Sequence, residues 1–374
     1  MKKRYLALLL AAVMSLGLVA CGGGNGGNSA NSNGGGSNSS AGSNTPAPGG
    51  DAKQKIAILV PNADHGWTGA VMTYAEEKAA EVNSAGKYDA TVITSTDAAN
   101  QISQVEDLIA NKTADAVVIL PQDNTLEATM KKLAESGIPF VMFDRIIDSV
   151  SSNAVASVKG DNEGIGAATA ERFIAAGLKP GDPVLVMPGD NSSVPEMRNN
   201  GFQNVLKENG WSDEQIAGLK STAYTGWSRS EGKKLFTEWL EASTVDEITA
   251  TKFIFTHDDE IAMGILEALQ SSDIDEAKKE AFLNAGVNLG ASSGLNEIYS
   301  VLKGIHQRDY SAQVAKLADL FSVTYDPAMI QTAIDDMIAS LDGGSVAQDH
   351  VIPVSVVDAS NVNDFRGFGD AVSK

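Results

Sequence analysis

Ala116-Val117-Val118-Ile119-Leu120 is a continuous apolar run; Leu126, Met130 and Leu133 follow it at helical spacing; Phe140-Val141-Met142-Phe143 is a second run and ends on Asp144-Arg145. A strand that is apolar at every position has no wet face, and a helix with one apolar stripe is what covers it. The stretch therefore reads as one β-α-β unit of a parallel sheet. Ile56-Ala57-Ile58-Leu59-Val60 and Ala90-Thr91-Val92-Ile93 precede it, and Ile102, Val105, Leu108 and Ile109 mark another helix. Val184-Leu185-Val186-Met187, Phe253-Ile254-Phe255 and Ile352-Pro353-Val354-Ser355-Val356-Val357 follow. The expected class is α/β, with doubly wound parallel sheets.

A chain of 374 residues suggests two domains on a prior of about 100–200 residues each, and 43% hydrophobic residues are enough to fill them. The 48 acidic residues outnumber the 28 basic ones, giving a net charge of −20. That balance argues against nucleic-acid binding, which needs Lys and Arg to displace counterions from phosphates. One cysteine forms neither an internal disulfide nor a structural zinc site.

Residues 1–20 have the pattern of an export signal: Lys2, Lys3 and Arg4, then an uncharged apolar run that is too short and wrongly flanked for a lasting membrane span. Leu18-Val19-Ala20-Cys21 resembles a bacterial lipobox, which implies lipidation of Cys21 as the new N-terminus; the alternative is an ordinary signal peptide cleaved nearby. Residues 21–52 are expected to be a disordered tether. Gly22 to Gly50 contains 11 glycines and no charged or large apolar residue, so it cannot offset the entropy of ordering. Its mean reach as a flexible coil is about 30 Å. Without Lys2, Lys3 and Arg4 the net charge becomes −23.

In open parallel sheets, ligands lie beyond the carboxyl ends of the strands, where strand order reverses. Polar and aromatic residues collect at those ends. His65 and Trp67 follow the first run, Asp144 and Arg145 follow Phe143, and Asp161 and Asn162 follow Val158. Met187 leads toward Arg198, and Phe255 to His257-Asp258-Asp259. This chemistry suits a sugar. Planar Asp, Asn and Arg groups bridge neighbouring hydroxyls through charge-assisted bonds, and Trp67 and Trp227 offer faces for C–H groups. Strand-end carboxylates also serve catalysis, so Asp144 and Asp258 as a glycosidase pair is a competing reading.

Four segments resemble the type 1 periplasmic sugar-binding proteins of ABC importers. They are Lys55 to Trp67, Gly137-Ile138-Pro139-Phe140-Val141-Met142-Phe143-Asp144-Arg145, Arg198-Asn199-Asn200-Gly201-Phe202, and Phe255-Thr256-His257-Asp258-Asp259-Glu260-Ile261-Ala262-Met263-Gly264. The resemblance implies two lobes joined by a three-crossing hinge. It places one lobe at 53–159 plus 308–341 and the other at 160–307 plus 342–374, with crossings near Gly160, Gln307 and Gly343-Gly344. It implies that Trp67 and Trp227 stack on a monosaccharide, that Asp144, Arg145 and Arg198 bind its hydroxyls, and that Asp258 stands where the family has Asn. Asp259 is expected to cap the following helix. Asn288 is taken for the Asp of a Gly-x-Asp motif, and Gly304-Ile305-His306-Gln307 for a strand end, which brings His306 into the site with His65 and Asp161.

The implied partner is an ABC permease, with the protein monomeric and held at the extracytoplasmic face of the cell membrane by its lipid alone. A sensor for a membrane receptor or kinase is the alternative role. No cofactor or metal is expected. His257-Asp258-Asp259-Glu260 sits at a strand-to-helix turn with side chains diverging, Gly164-Ile165-Gly166-Ala167-Ala168-Thr169 is a lone glycine pattern, and no G-x-S-x-G is present. Leu178 to Pro183 lacks the calcium loop that some galactose-binding relatives carry.

Overall fold

The computed structural model describes residues 53–63 and 66–370. Cys21, the signal and tether segments and His65 lie outside the described residues.

Two six-stranded sheets carry the fold. In spatial order the first holds Asp349–Ile352 (β11), Ala156–Gly160 (β5), Phe140–Phe143 (β4), Ala116–Ile119 (β3), Gln54–Pro61 (β1) and Tyr88–Ser95 (β2), all parallel. The second holds Val356–Asp358 (β12), Asp319–Thr324 (β10), Asn288–Ser293 (β9), Phe253–Thr256 (β8), Val184–Met187 (β6) and Lys220–Ser221 (β7). Only its β10–β12 pair is antiparallel. β3, β4, β6 and β8 are buried at every residue, which is why each reads as an unbroken apolar run. Val105 and Leu108 of the Ala98–Asn111 helix pack with Met130 and Leu133 of the Glu127–Ser136 helix in one core on the first sheet. Strand order reverses at β1, which lies between β2 and β3, and at β6, which lies between β7 and β8.

The chain passes between the sheets three times, but not all at the expected places. The first passage follows Gly160. The second follows Thr324 rather than Gln307, because β10 is hydrogen-bonded between β9 and β12 in the second sheet. The third lies at Pro353–Ser355, not at Gly343-Gly344: β11 pairs with β5 in the first sheet before the chain returns. The run from Ile352 to Val357 is thus two strands in different sheets, broken at Pro353, whose nitrogen cannot join a ladder. The first lobe's return segment is about residues 325–352, carrying the Met329–Leu341 helix.

Candidate ligand-binding site

The carboxyl ends of both sheets border one cavity of about 690 Å³, within the roughly 300–1,000 Å³ of small-molecule sites. Trp67, Asp144 and Arg145 reach it from the first lobe; Asp190, Arg198, Trp227, Asp258 and Ser293 reach it from the second. Tyr325, just past β10, completes the wall.

Each is held by a local feature. Trp67 opens the Gly66–Ala85 helix, stacks on Phe143 at 5.9 Å between ring centroids, and donates its indole N–H to the Tyr325 carbonyl at 2.8 Å. Asp144 has φ of +62°, and the N–H of Arg145 donates across it to the Phe143 carbonyl at 2.7 Å. This is the strained, positive-φ form of the three-residue turn, which costs about 1–3 kcal/mol. Of the four described non-glycine residues with positive φ, three, Asp144, Trp227 and Ser293, line the cavity. Backbone strain is therefore concentrated where a ligand would sit.

Arg198 depends on a close helix crossing. A Cβ on Gly166 would fall 1.9 Å from the Arg198 carbonyl oxygen, and one on Gly201 would fall 1.9 Å from that of Glu163. Only glycine at both positions lets the Asn162–Ala175 and Ser193–Glu208 helices meet and seats Arg198, 3% exposed, against Asn162. Its Nε donates to Asn162 Oδ1 at 2.9 Å and its Nη1 to the His257 carbonyl and Ser292 Oγ. Its guanidinium lies 5.1 Å from the Tyr325 ring centroid and 5.4 Å from that of Trp227.

Burial raises the Asp144 pKa against the pull of Arg145, the Tyr325 hydroxyl and Arg198. It lowers that of Arg198. Asp258 is pushed well above the usual carboxylate range by burial and by neighbouring Asp259. The cap expected of Asp259 is supplied by Asp258, which accepts the Glu260 N–H at 2.8 Å while lining the cavity. Asp259 turns inward instead, accepting the N–H groups of Gly294 and Leu295 at 2.8 Å and the Ser322 hydroxyl at 3.0 Å.

Among the described residues, none of Asp144, Arg145, Asp190, Arg198 and Asp258 takes part in a salt bridge, although all five face one cavity. Arg229, on the rim, is in three.

Three expected site residues stand elsewhere. Asp161 caps its helix through Gly164 N–H at 2.7 Å. Asn288 begins β9 and donates to the Lys252 carbonyl at the amino end; the carboxyl end, facing the cavity, reads Ser292-Ser293 and has no carboxylate. His306 follows the Asn296–Leu302 helix in a turn, packs on Tyr310 at 5.0 Å, and sits 3.2 Å from Glu297. The strand end looked for at 304–307 is that of β10, and the residue beyond it is Tyr325. Sequence reasoning placed neither Tyr325 nor Asp190 in the site.

A family model described as a periplasmic binding protein domain matches residues 56–293. The chain belongs to the periplasmic binding protein family. Over 181 residues this binding protein is 30% identical to the ribose import binding protein of Bacillus subtilis, covering 48% of the chain and about half, 54%, of that relative. It is 25% identical to a putative rhizopine-binding protein of Rhizobium meliloti over 280 residues, 72% of the chain and 80% of the relative. Among solved structures, a Caulobacter myo-inositol binding protein superposes with a TM-score of 0.65 at 20% identity, covering 84% of the chain and 96% of its own. A galactofuranose binding protein superposes at 0.63 and 19% identity, covering 83% and 96%. At these identities the structures establish the fold, two α/β lobes.

Proposed function

We propose that this periplasmic binding protein is an extracytoplasmic, lipid-anchored receptor that captures one monosaccharide between its lobes and delivers it to an ABC-type permease. The observation that carries the reading is that Asp144, Arg145, Asp190, Arg198 and Asp258 share a cavity without forming a salt bridge among the described residues. Each planar carboxylate or guanidinium offers two neighbouring acceptor or donor positions, which match vicinal hydroxyls, themselves both donors and acceptors. A neutral polyol satisfies them and adds no charge. Trp67 and Trp227 supply apolar faces for its ring. The names of the import-binding relatives support the same ligand class.

Ligand that touches both lobes binds most tightly when they are closed, so it shifts the population toward closure by its differential affinity. No bond is made or broken. The lipobox-like Cys21 and the tether of about 30 Å reach support attachment to the membrane surface.

A thermal-shift screen of ribose, xylose, glucose, galactose, arabinose and fructose tests the ligand class, because a ligand that binds only the folded state raises Tm by mass action. At least one sugar should raise Tm, and Arg145→Ala should abolish that rise. No response from any sugar would overturn the monosaccharide reading. The anchor is tested by Cys21→Ser, which should move the protein from the membrane fraction to the soluble one.

A further inference from the structure

We infer that Tyr325 is a positioning residue through which the hinge holds binding groups of both lobes in one arrangement. Tyr325 is the first residue after β10, on the passage from the second sheet to the first. It is 5% exposed, and the Cδ2–Cε2 side of its ring packs on Gly160, the last residue before the first passage. A Cβ at Gly160 would sit 2.3 Å from that ring, so glycine there is a condition of the contact. Tyr325 therefore wedges two of the three hinge passages together.

Three cavity side chains converge on it. Its hydroxyl donates to Asp144 Oδ1 of the first lobe and accepts from Asn162 Nδ2 at 3.1 Å. The other end of the Asn162 amide accepts from Arg198 Nε of the second lobe at 2.9 Å. Its carbonyl accepts the Trp67 indole N–H at 2.8 Å. Trp67, Asp144 and Arg198 are thus referenced to the pivot, where rotation of the lobes displaces atoms least. Asp190, Trp227 and Asp258 have no described hydrogen bond to it and move with the second lobe. A sugar would meet a set group at the pivot before closure brings the remainder. The binding step of this inference rests on the monosaccharide reading; the geometry of the chain of bonds does not.

Tyr325→Phe keeps the ring, its seat on Gly160 and the carbonyl bond to Trp67, and removes only the hydroxyl. In ligand-free protein, a ¹³C titration of the Asp144 carboxyl should move to higher pKa, since a donor to the carboxylate is lost while Arg145, Arg198 and Asp190 remain. An unmoved titration overturns the inference. Calorimetric titration with D-ribose and with myo-inositol supplies the second arm. Affinity for whichever binds should fall at least about tenfold, the loss of one hydrogen bond to a charged group, measured well below the Tm of the variant so that its folded fraction is complete. Tyr325→Phe should weaken binding less in an Asp144→Asn background than in the parent, because only its route through Asn162 to Arg198 is then left to lose; effects that simply add would show that Tyr325 acts on the sugar directly and overturn the positioning role. If neither polyol binds the parent protein, the monosaccharide reading is what suffers, and the carboxyl titration still decides the role of Tyr325.

Discussion

Arg198 and Arg229 both line the cavity, and carboxylates lie near both, but only Arg229 touches them. Its Nε donates to Glu260 at 2.6 Å and its Nη1 to Glu297 at 2.9 Å, with Glu267 at 3.5 Å; Glu297 is also within 3.2 Å of His306. Burial opposes the Arg229 charge, and Glu297 and Glu260 more than offset it, so its pKa rises. Arg198 has amide, hydroxyl, carbonyl and ring neighbours instead, and burial lowers its pKa. A charge whose hydrogen-bonding capacity is spent within the protein braces the wall. One with capacity left over, in a cavity, is available to a ligand.

The largest effect is expected from Arg198→Met. It removes a binding group and leaves Asn162 and Ser292 short of a donor in a dry site, so any sugar-induced rise in Tm should vanish and stability should fall by about 3 kcal/mol. Arg229→Met should separate the two roles. Urea unfolding should show a loss of about 2 kcal/mol, as when carboxylates lose a partly buried cation, while calorimetry finds sugar affinity within about threefold of the parent. A collapse of affinity there would erase the distinction between the two arginines.

Asp258→Asn acts more gently. Asn is as good a cap as Asp, and the change removes the repulsion from Asp259. Stability should therefore hold or rise by up to about 1 kcal/mol, while affinity for the bound sugar changes by about tenfold as an acceptor becomes a donor-acceptor amide.

The same contrast explains what was legible in the sequence. Asp144 and Arg145 follow a strand buried on both faces, so an apolar run pointed straight at them. Arg198 was found through its glycine-containing segment, because the helix crossing demands Gly201. β9 and β10 gave no such run, for reasons visible in their packing. Gly290 must be small, since a Cβ there would fall 2.6 Å from the Phe321 ring. Ser322 is polar because it bonds Asp259 inside the protein. With those strands unread, their carboxyl ends were misplaced, which drew Asn288 and His306 into the site and left Tyr325 out. The paired rim was illegible for another reason: Arg229, Glu260, Glu297 and His306 come from separate helices and loops, and no spacing in the chain announces their meeting.

The smallest effect concerns the carboxylate that braces the site from behind. Burial raises the Asp259 pKa from 3.8 to about 6, despite the N–H groups of Leu295 and Gly294 and the Ser322 hydroxyl that favour its charged form. An acid whose folded pKa exceeds its unfolded one holds its proton more tightly when folded. Its contribution to stability is complete below pH 3.8 and is lost as pH rises through about 6. Between pH 7 and pH 5 the parent protein should therefore gain about 1 kcal/mol relative to Asp259→Asn. The comparison is differential because His257, whose pKa burial pushes well below 6.5, works in the opposite sense on acidification, and Asp144 and Asp258 titrate too. His257 and Asp144 are common to both proteins and cancel in the difference, whereas Asp258 holds its proton more tightly beside a charged Asp259 than beside an amide, which adds to the gain of the parent. Parallel stability curves for the two would mean that the Asp259 charge is fully compensated by its three donors. Asp259 would then belong with Arg229, among charges settled within the fold, and not with the unpaired groups of the cavity.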